Sequence, residues 1–122
     1  MIMQIKNKRI ANSVFETEVF TMPNTPTDSM LEYLIHGFMN LQTEEECLSF
    51  LRDLCTESEL LEMSRRLQAA KMLKNGFIYT DIAEQTGLST ATISRVNRCL
   101  KYGDGGGYLA ILERLDKEDR RR

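Results

Sequence analysis

The chain has 122 residues, 42% of them hydrophobic and 28% charged, which fits one modest globular domain and leaves too little length for a second core. A net charge of −2 excludes a uniformly basic nucleic-acid binder, yet the charge is unevenly placed. Residues 28–62 hold nine acids and one base, whereas residues 63–101 hold seven bases and two acids.

Residues 1–27 are mixed in character and read as an N-terminal arm or extension, with Met22-Pro23 as a second start or a loop. From Asp28 the apolar positions Met30, Leu31, Leu34, Ile35, Phe38, Met39 and Leu41 recur with helical period, predicting a first helix to about Leu41. Thr43 with Glu46 forms a capping-box pattern for a second helix carrying Cys47, Leu48, Phe50, Leu51 and Leu54. Thr56 with Glu59 repeats it for a longer third helix, with Leu60, Leu61, Leu67, Ala70 and Leu73 as its apolar positions and Gly76 as its stop. After a glycine-rich break at 103–107, a last helix is expected from about Tyr108 to Leu115, followed by a charged tail at 117–122.

Between the third and last helices, residues 79–101 have the spacing of a helix-turn-helix. Thr80 is the expected cap of its first helix, running through Gln85, with Ile82 and Ala83 inward and Gly87 in the left-handed conformation that ends it. Leu88 is the apolar plug of the turn, and Ser89 the N-cap of a second helix over 90–101. At 100° per residue, Ile93, Val96 and Leu100 fall on one buried stripe. The opposite face then carries Ala91, Ser94, Arg95 and Arg98, with Thr90 and Thr92 on its flanks, and no acid occurs from Leu88 to Gly103. Short hydroxyl and methyl side chains allow close approach to base edges, and arginine forks match guanine or phosphate oxygens. Ser89, Thr90, Ala91, Thr92, Ser94, Arg95 and Arg98 are therefore the candidate DNA-binding residues. The plain alternative is an αα-hairpin with solvated arginines.

The first two helices expose more apolar surface than so short a chain covers by itself, and at about 25 cal/mol per Å² leaving it wet costs several kcal/mol. A homodimer would bury it and would present two reading helices to successive major grooves about 34 Å apart, which suits a palindromic operator in double-stranded DNA. Three cysteines, Cys47, Cys55 and Cys99, lack the paired spacing of a zinc site, and His36 sits in an apolar helical pattern, so no metal or other cofactor is expected. The default reading of the cysteines is buried reduced thiols, with a redox role for Cys99 as the sharper one. No run of about eighteen apolar residues and no signal-peptide pattern occurs, which leads us to expect a cytoplasmic protein without a membrane partner.

The stretch from Thr56 to Leu100, above all TATISRVNRCLK, resembles the Trp repressor superfamily, and the YGDGGGY that follows resembles its Gram-positive YerC/YecD-type branch. The resemblance runs from about Asp28 to Leu115 and implies an all-α, six-helix bundle in an intertwined homodimer, with transcriptional repression as its usual use. In the repressor, indole lies between two arginines with two threonines nearby. Those positions fall on Arg66, Arg95, Thr56 and Thr92 here, a possible effector pocket by resemblance. The repressor's glycine after its second arginine is Val96 in this chain, and a later serine is Cys99. A β-branched side chain in that space clashes with an indole, so a small-molecule effector, if there is one, is not expected to be tryptophan.

No nucleophile stands in an identifiable relation to a base, and GDGGG lacks the preceding strand and GK[ST] ending of a phosphate loop, so an enzyme is not expected. Two readings remain. One is a sequence-specific transcription regulator. The other is a DNA-binding or protein-interaction module in replication or transcription machinery, without ligand control.

Overall fold

A computed structural model describes residues 27–103 and 105–122. These residues form six helices and no strand: α1 (Asp28–Met39), α2 (Glu44–Leu54), α3 (Glu57–Lys74), α4 (Tyr79–Thr86), α5 (Thr90–Tyr102) and α6 (Gly107–Arg121). The architecture is all-α, as the periodicity predicts. The chain divides into two compact units, 1–49 and 50–122, with the boundary inside α2. Most of the expected N-terminal arm, residues 1–26, lies outside the described residues.

In the first unit, the Thr27 hydroxyl caps α1 by accepting from the Met30 amide. The helix ends at Met39, short of the expected Leu41, because Asn40 folds back: its side-chain amide donates to the His36 carbonyl at 2.8 Å. At the start of α2 the Thr43 hydroxyl accepts from the Glu46 amide at 3.0 Å. The Glu46 carboxylate accepts from Gln42 at 2.9 Å rather than from Thr43, so the reciprocal half of the expected capping box falls one residue early. No residue of α1 is buried, and Met30, Leu31, Tyr33, Ile35, Phe38 and Met39 are all exposed.

In the second unit, the box at Thr56 is complete: its hydroxyl accepts from the Glu59 amide at 3.1 Å and its own amide donates to the Glu59 carboxylate at 2.7 Å. The far end of α3 is closed by Gly76, at φ +88°, whose amide donates to the Leu73 carbonyl while the Phe77 amide donates to that of Met72. That pair of bonds is a Schellman motif, and its left-handed residue is glycine because a Cβ is strained there.

The first helix of the helix-turn-helix begins earlier than expected. Ile78, not Thr80, is the N-cap of α4, in extended conformation and without a side-chain cap bond. The Ile82 amide already bonds the Ile78 carbonyl at 3.1 Å, which places Thr80 inside the first turn. The last helix runs on to Arg121, well past Leu115. Its C-terminal residues set acid against base at helical spacing, Asp116 with Arg120 and Glu118 with Arg121, and Asp116 is fixed to α3 by an ion pair with Lys74 at 2.9 Å.

The core lies around α3, which packs against α4, α5 and α6. One cluster joins Ala69 and Met72 to Ile82, Leu88 and Ile93, with Ala83 and Tyr79 packed against it. The other joins Ala70 to Val96, Leu100 and Leu112, with Tyr108 alongside. Ile82, Ile93 and Val96 are the largest fully buried side chains, each contributing about 1.5–3 kcal/mol of burial. By contrast Leu61 and Leu67, expected apolar positions of α3, remain exposed.

Candidate nucleic-acid interface

Two side chains and one glycine set the direction of α5. Gly87 closes α4 at φ +78°, its amide donating to the Ala83 carbonyl. Leu88 then drops into the first cluster, and Ser89 caps α5 by accepting from the Thr92 amide at 3.1 Å. With Ile93, Val96 and Leu100 buried, the helix has no rotational freedom left. Its outward face presents Thr90, Ala91, Ser94, Arg95 and Arg98, all exposed, with Ser89 exposed at the end and Thr92 half-buried at the margin.

Among the described residues, the side chains of Arg95 and Arg98 take part in no hydrogen bond or ion pair, so both guanidinium forks are unspent. The Ser89 hydroxyl also donates to that of Thr92 at 3.1 Å, which ties Thr92 into the cap. The helix places its basic residues on a face with no carboxylate of its own, and a negative ligand meets there the positive end of the helix dipole as well.

The four residues of the possible effector pocket are not gathered by hydrogen bonds. Thr56 is occupied as the cap of α3, and Arg66 lies ten residues further on, about 15 Å along the helix axis. Thr92 and Arg95 share the margin of α5. No hydrogen bond links any two of the four among the described residues. Val96 is 1% exposed and points into the cluster with Ala70, Leu100 and Leu112, so its methyls fill space rather than border a void.

Two carboxyl groups are held below their ordinary range. Glu59 is lowered chiefly by the Thr56 amide and then by its hydroxyl, and Asp116 by its bond from Lys74. Glu59 closes the start of α3 and Asp116 ties α6 to α3, and neither belongs to α5. Among the described residues no group of three or more metal-binding side chains occurs, and no helix is long and apolar enough to cross a membrane.

The sequence pattern misses one feature of this region. Arg65, on α3, lays its guanidinium against Gly87 in the turn of the helix-turn-helix. Only the third dimension brings these two residues together, and no local spacing signals it.

The chain is similar to known proteins. The uncharacterized protein YerC of Bacillus subtilis strain 168 is 44% identical over 81 residues, covering 66% of this chain and 78% of YerC. The crystal structure of a TrpR-like protein from Eubacterium eligens superposes with a TM-score of 0.68 at 46% identity, covering 72% of this chain and 90% of that one. That of a candidate Trp repressor from Staphylococcus aureus does so with the same TM-score at 44% identity, covering 72% and 87%. Residues 29–116 match the family described as Trp repressor protein, a span that takes in all of α2 to α5. With the family match over most of the chain, the identity to YerC and the structural likeness all in agreement, the chain belongs to the Trp repressor family.

Proposed function

We propose that the protein is a sequence-specific DNA-binding transcription regulator that acts as a repressor, reading the major groove with α5 as a homodimer. The observation that carries this reading is the outward face of α5: an acid-free surface of small side chains with two arginines whose donors are unspent. Bidentate arginine contacts to guanine, methyl contacts from Ala91 to thymine and hydroxyl contacts from Thr90 and Ser94 are the chemistry such a face provides. Membership of the Trp repressor family and likeness to the Staphylococcus aureus protein support a regulator over an enzyme.

Dimerisation is supported by the exposed apolar side chains of α1 together with Leu48 and Leu54 of α2. Where the resemblance implies an effector pocket at Thr56, Arg66, Thr92 and Arg95, tryptophan would need space that Val96 fills, so this member acts either without an effector or with one smaller or differently shaped than indole.

Recovery of genomic DNA fragments bound to the purified protein tests the reading. The expected result is enrichment of a short inverted repeat with half-sites about one helical turn apart. Uniform recovery of all sequences would leave a non-specific binder and overturn it.

A further inference from the structure

Arg65 reaches from α3 to the turn that precedes the reading helix. Its guanidinium carbon and one terminal nitrogen lie 3.6 Å from the point a Cβ on Gly87 would occupy, and its Nε lies 3.8 Å away. The side chain is half-buried, yet among the described residues it has no hydrogen bond or ion pair. A guanidinium carries five N–H donors, and those of Arg65 are free to meet an acceptor from outside the chain.

Arg65 also lines a cleft of about 280 Å³, together with Ser64, Gln68, Gln85 and Thr86. The two hydroxyls are spent inward, Ser64 on the Leu60 carbonyl at 2.8 Å and Thr86 on that of Ile82 at 2.7 Å. The carboxamides of Gln68 and Gln85 have no partner among the described residues, and no acid lines the cleft. What the cleft offers is therefore donors and a positive charge, the complement of a phosphoryl group.

Its position matters as much. Gly87 stands two residues before Ser89, the cap of α5. A helix about 10–12 Å across fills a major groove about 12 Å wide, so the sugar-phosphate walls run beside whatever joins its first turn. The first helix of such a motif also crosses the backbone, and this cleft opens at the end of α4.

We propose that the Arg65 cleft is a phosphate seat of the DNA interface, in which the guanidinium and the carboxamides of Gln68 and Gln85 grip one backbone phosphate and fix the depth of α5 in the groove. The proposal rests on the DNA-binding reading. It assigns Arg65 an orienting contact, blind to base sequence.

The test compares wild type with Arg65→Gln and Arg65→Lys in binding titrations over a range of salt, with thermal melts of each. Loss of one phosphate contact is expected to lower the slope of log K against log salt by about 0.9 without altering the preferred sequence, and the lysine variant to regain most of that slope. An unchanged slope in Arg65→Gln overturns the proposal. So does a lower melting temperature with the slope unchanged, which would make Arg65 a support for the carbonyl end of α4. If wild type binds no DNA, the functional reading fails, and nuclear magnetic resonance of the free protein titrated with inorganic phosphate decides the cleft by itself. A shift at the Arg65 Nε–H in wild type, together with a Gly87 amide shift that is lost in Arg65→Gln, supports the seat, and the absence of either refutes it.

Discussion

Ser89 and Thr92 are joined twice at the start of α5, the Thr92 amide donating to the Ser89 hydroxyl and that hydroxyl donating to the Thr92 side chain, both at 3.1 Å. The cap therefore both starts α5 and holds one of its candidate contact residues. Ser89→Ala is expected to cost about 1 kcal/mol of stability, read as a lower urea midpoint. Ser89→Asp keeps the cap and should recover that stability while weakening DNA binding, because it sets a carboxylate among phosphates. Equal DNA affinity in wild type and Ser89→Asp would show that the start of α5 does not approach DNA.

Arg95→Ala and Arg98→Ala should leave the fold within about 0.5 kcal/mol of wild type, since both side chains are exposed and unpaired. Each should weaken DNA binding. A base contact is expected to cost about 1–3 kcal/mol and relax one position of the site, whereas a phosphate contact weakens all sequences and flattens the salt dependence. Gel-shift titrations across salt separate the two, and no change in either variant would remove α5 as the reader.

Free L-tryptophan is expected not to bind, because Val96 occupies the core beside Ala70 and Leu100. The chain has no tryptophan of its own, so indole emission and anisotropy report added ligand against almost no background. Saturation at micromolar protein would contradict the expectation. Val96→Gly should gain binding if the resemblance places Arg66 and Arg95 correctly, at the expense of about 1 kcal/mol for glycine in a helix plus the lost buried methyls. Circular dichroism must show that this variant is folded.

Stability should fall at acid pH in part through Glu59. Its folded pKa is depressed by the Thr56 bonds, so its contribution is fully present above the ordinary value of 4.5 and is lost as pH drops through the folded value. The same sign holds for Asp116 below 3.8. Urea midpoints measured from neutral pH downward should decline less steeply in Glu59→Gln than in wild type, with both variants flat above the carboxylate range. A parallel decline would show that the capping box is not formed in solution.

Sedimentation equilibrium is expected to give twice the chain mass at micromolar concentration, with no folded monomer on dilution, because six large apolar side chains of α1 are exposed in a single chain. A compact, heat-stable monomer would be evidence against the homodimer.

The helix-turn-helix was legible because its signals are local. Gly87 needs a positive φ, Ser89 needs only its neighbour's amide, and Leu88, Ile93, Val96 and Leu100 follow from a fixed period. Elsewhere the local signals mislead for identifiable reasons. Thr80 has the chemistry of a cap, but the Schellman turn at Gly76 delivers the chain to Ile78 already extended, so α4 starts without a capping side chain. The charged residues after Leu115 look like a tail, yet Asp116 meets Lys74 across 42 residues and the helix continues. The Arg65 contact with Gly87 is likewise invisible in one dimension. For the effector pocket, Thr56 is a clear candidate by position, but a complete capping box explains that residue equally well.

Ala69 and Ala70 are neighbours in sequence, yet each belongs to a different buried cluster, and Leu73 one turn later packs against both. That makes α3 a shared partition wall between the chamber that seats α4 with the start of α5 and the chamber that seats α6 with the end of α5. Close-packed interiors transmit strain, so a change in the packing of α6 is expected to reach, through Leu73, the cluster in which Leu88 and Ile93 seat α5. Substitutions at the Leu112 face of α6 are therefore expected to alter how α5 is seated while leaving its outward face unchanged.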